Sequence, residues 1–496
     1  MKNKNGRRRR SKPACNEASA ARNAAAGNGD RLTKLPDDLL INILERVDTL
    51  DAIRTCILSK RLLKFPTMLS HLFISAASIS RHHNPARDFG IRDMLRISRA
   101  IADVTDNILS TRSPEITISK LKIRFILTKQ DAVSIGNSVA RAMATQKVDS
   151  AEFEMVTEKG FLNCSPDDLL DFARRLNTLL GACPDAFAGL TRLWLRNLRF
   201  DELGIPDILS TCKRLESLHL THCDSGIDSV VQLEHAQLVE LDVDSGCFER
   251  IELTCLPKLQ RVSYNNWFCY GDQFPLYFGF VPQLSKLSIT KTGVKSEMTL
   301  VLSQLLANVP SIRDLHLDFE CEKIWVLPES PKLLTPLLRK LQQVNLENIP
   351  EGCDFSWTMF ILEAAPFLKE LSITVWDHWC IIATDKEYRK KYGYCEKAEV
   401  KWKTYAPGLK HKNLVKLTIY GFQPDDNFVR YIRRVVEVAV NMEEISLHDR
   451  KVCERCGNLD PKIKVCPSRY PRTAEERKQT TEELVLASPS VVYFRS

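Results

Sequence analysis

The sequence predicts an α/β solenoid, a small N-terminal helical module followed by a long, irregular arc of short strand-bearing repeats. Three observations carry that expectation. A six-residue frame, leucine-x-x-leucine-x-leucine with aliphatic substitutes, begins at Leu190, Leu215, Leu238, Leu259, Leu284, Ile312, Leu341, Leu368, Leu414 and Met442. Successive starts lie 21 to 29 residues apart, with one gap of 46 after Leu368. Ahead of the frames, Leu39, Leu40, Ile43, Leu44 and Val47 form an apolar stripe at helical spacing.

Alternate side chains of a strand face opposite ways. In Leu215–Leu220, Leu218 and Leu220 therefore face inward, Ser217 and His219 face outward, and Leu215 turns in at the strand entrance. One such unit cannot bury its leucines alone, whereas a stack shares one continuous core. A period in the twenties with this frame is the signature of leucine-rich repeats. Weaker frames at Ile118 and Val148 place the opening of the array near residue 116. Helices or turns are expected on the convex side, with Glu297–Asn308 before Pro310 the clearest helix. The Asn or Cys that such repeats carry three positions past the last leucine is matched clearly only by Cys223, so the turns must be satisfied in other ways.

Taken from the N-terminus, residues 1–29 read as a disordered basic tail. Residues 1–34 hold ten Lys or Arg and two acids, which accounts for the whole net charge of +8 and leaves 35–496 formally neutral. A neutral body lacks the broad footprint that phosphates require, which argues against nucleic acid as a partner. Arg7–Arg10 with Lys12 reads equally as a nuclear-import patch or as a solvated tail. There is no apolar signal segment and no run of eighteen apolar residues, so no secretory leader or membrane span is expected. The expected location is the nucleus, the cytoplasm or both, where sixteen cysteines would stay reduced.

Residues 30–75 form the helical module. Pro36 suits the first position of a helix, and Asp37 and Asp38 favour the positive end of its dipole. A second helix is expected over Asp51–Leu58, and a third, capped by Ser59, must end before Pro66. Some 35 residues cannot bury enough surface to be stable alone, so the module needs a partner inside or outside the chain. Residues 76–115 read as a helical linker, helical over Asp88–Leu109. The array is expected over 116–450, with an insertion over 377–408. Residues 451–496 supply a cap, in which Thr473-x-x-Glu476 opens a helix and Val491–Phe494 forms a strand.

The order Leu35-Pro36-x-x-Leu39-Leu40-x-x-Ile43-Leu44, followed by Ala52–Arg61 with its Leu58-Ser59-Lys60-Arg61 end, resembles an F-box of the plant type. One departure stands at Leu62, where that family usually has tryptophan. The remainder is similar to plant F-box/leucine-rich-repeat proteins, and Leu414–Leu447 resembles the FBD-like segment that often closes them. The resemblance implies a substrate-recognition subunit of a Skp–cullin–F-box (SCF) type ubiquitin ligase. Leu35, Pro36, Leu39, Leu40, Ile43, Leu44, Ile53, Ile57 and Leu58 would dock a Skp-family adaptor, and through it a cullin–RING ligase. The repeats would capture a protein substrate that the sequence does not identify. The competing reading is a protein-binding repeat scaffold that recruits no ligase.

The outward strand positions Trp194, His219, Asp242, Ser263, Ser288, His316, Asn345, Ser372 and Thr418 are the expected target-binding face. No glycine-rich phosphate loop, nucleophile elbow or paired nucleophile and base stands out, and no catalytic residue or cofactor is expected. Cys453-x2-Cys456, with Cys466 ten positions on and His448 five before, could close a zinc tetrahedron. Its outer gaps match no common pattern, a loop of unbridged thiols accounts for it better, and no metal ligand is assigned.

Overall fold

The computed structural model describes residues 34–75, 78–79, 91–201, 204–226, 229–267, 274–291, 299–321, 324–376, 378, 380, 387, 408–451, 453–458, 467–484 and 491–495. The expectations for the basic tail, most of the 377–408 insertion and Cys466 fall outside these residues.

Every frame read from the sequence becomes a parallel strand of one sheet. Its first strands are β1 (His71–Ser75), β2 (Ile118–Ile126), β3 (Val148–Val156), β4 (Arg192–Arg196) and β5 (Ser217–Thr221). A second sheet contributes β6 (Val230–Glu234), β8 (Arg250–Cys255) and β10 (Leu276–Phe280), which alternate along the chain with β7 (Glu240–Asp244) and β9 (Arg261–Trp267). The main sheet continues through β11 (Lys286–Lys291), β12 (Asp314–Asp318), β13 (Gln343–Ile349) and β14 (Glu370–Val375). It ends with β15 (Lys416–Tyr420), β16 (Glu444–His448) and β17 (Val491–Arg495), so that fourteen strands run in chain order across it.

The array opens earlier than residue 116. β1 pairs in parallel with β2, His71 opposite Lys120 through Ser75 opposite Arg124. The stretch read as a linker therefore lies inside the solenoid. Its helix, Ile91–Ser110, packs on the convex side and buries Ile101, Ala102 and Leu109. Leu69, Leu72 and Ile74, all buried, give β1 the same six-residue frame as the later strands.

The three strands of the second sheet replace expected convex helices. They fall in the repeats beginning at Leu215, Leu238 and Leu259, which include the two shortest periods, of 23 and 21 residues. A helix advances 1.5 Å per residue and a strand about 3.3 Å, so a short return path favours extended chain. Val231, Leu233, Ile251, Leu253, Leu276 and Phe278 point into the core from that side. The helix expected over Glu297–Asn308 is a single turn, Leu302–Leu305, among the described residues.

The turns after the strands are closed by left-handed residues rather than by the usual asparagine ladder. Asn197, His222, Ser245, Asn266 and Asn348 each have φ between 51° and 57°, two positions past the last core residue of their strands. Asparagine tolerates this region better than most residues. Asn197 donates to Thr157 Oγ1 at 2.7 Å, Asn266 to Asp244 Oδ1 at 2.8 Å and Asn348 to Asp318 Oδ1 at 2.8 Å, each reaching back one repeat. Gly421 holds the matching place after β15 with φ 74°, where a Cβ would collide with the Val375 carbonyl oxygen.

The far end closes as read. Thr473 accepts from the Glu476 amide, and the Glu476 carboxylate accepts from the Thr473 amide, opening the helix Ala474–Leu484. One apolar core runs without interruption from Leu40 to Leu484.

Candidate functional site

The N-terminal module has two faces. Asp37–Leu44 and Thr49–Ile57 are helices, the second capped by Asp48, whose carboxylate accepts from the Leu50 amide. Pro36 stands one residue before the first helix rather than inside it. The third element is a 3-10 helix, Leu62–Thr67, which runs through Pro66 instead of ending before it. Leu40, Leu44, Ala52, Cys56, Leu62 and Phe65 are buried in the solenoid core. Leu40 and Leu44 are thus removed from the expected docking set, because both are sealed in that core. Leu35 and Ile53 are half-buried.

The opposite face stays open. Leu39 is 50% exposed, Ile57 66% and Leu58 84%, and Ile43, Val47, Leu63 and Met68 are exposed beside them. Pro36 is exposed too. The residue at the unusual position, Leu62, is only 2% exposed, so the departure falls on the inner face. Polar contacts lock the module to the array. Glu45 accepts from the Ser70 amide and hydroxyl, both at 2.7 Å, and Thr49 Oγ1 accepts from the Phe73 amide at 2.7 Å. Lys64 and Arg61 grip Asp37 and hold its carboxyl below the ordinary range.

The concave face brings all nine predicted residues into a single row. Strand register sets Trp194 opposite His219, then Asp242, Ser263, Ser288, His316, Asn345, Ser372 and Thr418 in turn. The row is unevenly accessible. His219 and Thr418 are buried, while Asp242, Ser263, Ser288, His316 and Asn345 are half-open. Beside it runs a row of alternating charge, with Lys286–Asp314 at 2.9 Å, Arg261–Glu240 at 3.3 Å and Lys416–Glu444 at 3.5 Å. Such pairing cancels the field that a polyanion would need.

His219 acquires partners that the sequence did not reveal. Its Nδ1 lies 3.1 Å from Asp242 Oδ2 and its Nε2 2.8 Å from Ser217 Oγ, while the Trp194 ring stacks on it at 3.7 Å. These are the contacts of a Ser-His-Asp triad, yet the surroundings make them structural. Ser217 is buried and its hydroxyl also donates to Glu240 Oε2 at 3.1 Å. The nearest backbone amides, those of Glu216 and Ser217, both donate to Thr191 O, so no local N–H remains to hold an oxyanion. Further along, Glu347 faces His316 at 3.6 Å and Lys451 at 3.5 Å. His316 first, with Lys451 adding to it, holds the Glu347 carboxyl down at about 2 against burial, which pushes the other way.

The thiol pair Cys453 and Cys456 does not meet the partners considered for it. His448 stacks on Tyr420 at 4.3 Å, and Cys466 lies outside the described residues. Instead His378 and Cys380, from the beginning of the insertion, close on the two thiols. Among the described residues no helix is long and apolar enough to cross a membrane.

Comparison with known proteins finds two kinds of domain. The F-box domain profile matches residues 32–71, and the profile described as At1g61320/AtMIF1, LRR domain matches residues 182–484. Similar curated proteins include F-box/FBD/LRR-repeat protein At5g56420 of Arabidopsis thaliana, 27% identical over 50% of this chain and 58% of its own length. F-box/FBD/LRR-repeat protein At4g26340 of the same plant is 25% identical over 58% of this chain and 60% of its own length. The chain thus spans about three fifths of the curated relatives it matches. Among solved structures, the leucine-rich repeat-containing protein LegL7 of Legionella pneumophila aligns at 12% identity, with a TM-score of 0.28, over 82% of this chain and 98% of that one.

Proposed function

The chain belongs to the plant-type F-box/leucine-rich-repeat proteins, and on that premise we propose that it is the substrate-recognition subunit of an SCF-type ubiquitin ligase. Such proteins are typically non-enzymatic receptors, with the F-box joined to a ligase adaptor and the repeats presented to a target. In this chain the adaptor partner is a Skp-family protein, and a cullin–RING ligase is recruited through it. A protein substrate is read by the concave row, in the nucleus or the cytoplasm.

One observation carries the reading: the outer face of the first module, with Leu39, Ile43, Val47, Ile57, Leu58, Leu63 and Met68 all exposed in one short stretch. So many exposed large apolar side chains on one short segment are a mark of an interaction site. It is also separate from the core face, so a partner can cover it without disturbing the solenoid. The concave row suits a protein target because half-open serine, asparagine, histidine and aspartate side chains stand on a rigid sheet, flanked by charges of both signs.

Co-expression of the full chain with a Skp-family adaptor tests the ligase arm. A stable complex is expected, and Leu39→Asp with Leu58→Asp should abolish it while the chain still folds, since both side chains lie outside the core. An unaltered chain that never co-purifies with any Skp-family adaptor would leave the repeat scaffold as the better reading.

A further inference from the structure

Four side chains that lie far apart in sequence meet where β14 and β16 end. His378 and Cys380 follow β14, and Cys453 and Cys456 follow β16, with 73 residues separating Cys380 from Cys453. Cys380 Sγ is 3.7 Å from Cys453 Sγ and 3.3 Å from Cys456 Sγ, and Cys456 Sγ is 4.0 Å from His378 Nδ1. All four ligand atoms lie within 4.8 Å of one another, and all four residues are half-buried. Zinc bonds of about 2.1 Å to imidazole and about 2.3 Å to thiolate imply tetrahedral edges of about 3.5–3.8 Å. The observed spacings bracket those edges, so small side-chain shifts bring the four atoms onto one ion.

We infer that His378, Cys380, Cys453 and Cys456 form a structural zinc site of the Cys3His class. The donor set selects the metal: three soft sulfurs and one imidazole in a closed tetrahedron suit zinc and exclude the hard, oxygen-seeking cations. Binding releases the three thiol protons to solvent, and the imidazole binds in its neutral form. Local structure already orients the ligands. Trp376 lies against the His378 ring at 4.0 Å, and the His378 amide donates to Cys321 Sγ at 3.1 Å. Three thiolates around a divalent ion leave a single negative charge, which the half-open site exposes to solvent.

The site ties the chain leaving β14 to the chain leaving β16, across all of β15 and the helix Asp426–Val438. A link over so long a loop restricts the unfolded chain strongly, and a metal supplies it where reducing conditions forbid a disulfide. A Cys380–Cys456 disulfide is the rival chemistry. It would use two sulfurs and give the third thiol and the imidazole no reason to converge.

Full-length protein, purified without chelators or a metal-affinity tag, should contain roughly one zinc per chain by elemental analysis, as a closed four-ligand site requires. Replacing zinc with Co2+ should produce thiolate-to-cobalt charge-transfer absorption and the visible bands of a tetrahedral centre. Cys453→Ser with Cys456→Ser should lower the zinc content at least about tenfold, given that structural sites need all four ligands. Cys164→Ser, far from the cluster, should leave it unchanged. Folded wild-type protein without zinc, or without the cobalt signature, would overturn the inference irrespective of how the variants fold. So would a double variant that keeps its full zinc, or a denatured wild-type chain showing fewer than its sixteen free thiols.

Discussion

The two ends of the solenoid solve the same problem in opposite ways. Each must cover the open edge of a fourteen-stranded sheet. At the C-terminal end β17 pairs with β16, the helix Ala474–Leu484 buries Thr480 and Leu484, and the Tyr470 hydroxyl spans Leu447 O at 2.9 Å and Arg495 O at 3.1 Å. Of the large apolar side chains described beyond residue 450, only Tyr493 is exposed. At the N-terminal end the covering module turns one apolar face inward and leaves a second facing out. A cap needs the first face alone. The second is surplus to folding, and the proposed adaptor docking rests on that surplus.

This contrast can be broken most severely at the inner faces. Phe65→Ala and Leu484→Ala remove side chains with no exposed surface. Each should lower the free energy of unfolding by about 2–5 kcal/mol, read by chemical denaturation. If Phe65→Ala has an effect below about 1 kcal/mol, the first module is a loosely tethered body and the ends are not comparable.

The contact between the C-terminal segment and β13, made by Lys451 and Glu347, can next be probed by acid. The folded Glu347 carboxyl, facing His316 and Lys451, sits at about 2, below its ordinary value of 4.5. A lowered carboxylate contributes its stability in full above the unfolded value and loses it as pH falls through the folded one. Stability should therefore decline between pH 4.5 and 2 by on the order of 1–2 kcal/mol after solvent screening, and Lys451→Met should reduce the decline. A smaller effect is expected of Tyr470→Phe, about 1 kcal/mol for the loss of a hydroxyl shared between two carbonyls. The smallest belongs to the outer face of the module. Leu58→Asp should change the melting temperature hardly at all, about 0.5 kcal/mol or less, because its side chain touches mainly water.

The strands of the arc were legible because each carries its own local signal. Leucines at positions 1, 4 and 6 of a frame state both the strand and its inward face, and the in-register row from Trp194 to Thr418 follows from them. What lay outside the frame was harder. The three convex strands differ from a helical return only in the length available to them, and β1, although Leu69, Leu72 and Ile74 fit the frame, is parted from β2 by more than one repeat length. Within the F-box segment, the apolar stripe from Leu39 to Val47 announces an amphipathic helix, but it does not say where the core face ends. Leu40 and Leu44 sit one position from Leu39 and Ile43, and the division between them depends on which side meets the core. The His219 contacts and the zinc ligands depend on tertiary approach alone. Asp242 belongs to the next repeat, and His378 and Cys380 stand at the start of an insertion whose spacing to Cys453 carries no periodic signal.

Titration of the purified full chain with a Skp-family adaptor, unaltered and with Ile57→Asp plus Leu58→Asp, tests the surplus face most directly. Saturable binding by the unaltered chain is expected, with affinity reduced at least about 100-fold in the doubly substituted chain at an unchanged melting temperature. Equal affinity in both chains would contradict the assignment of that face.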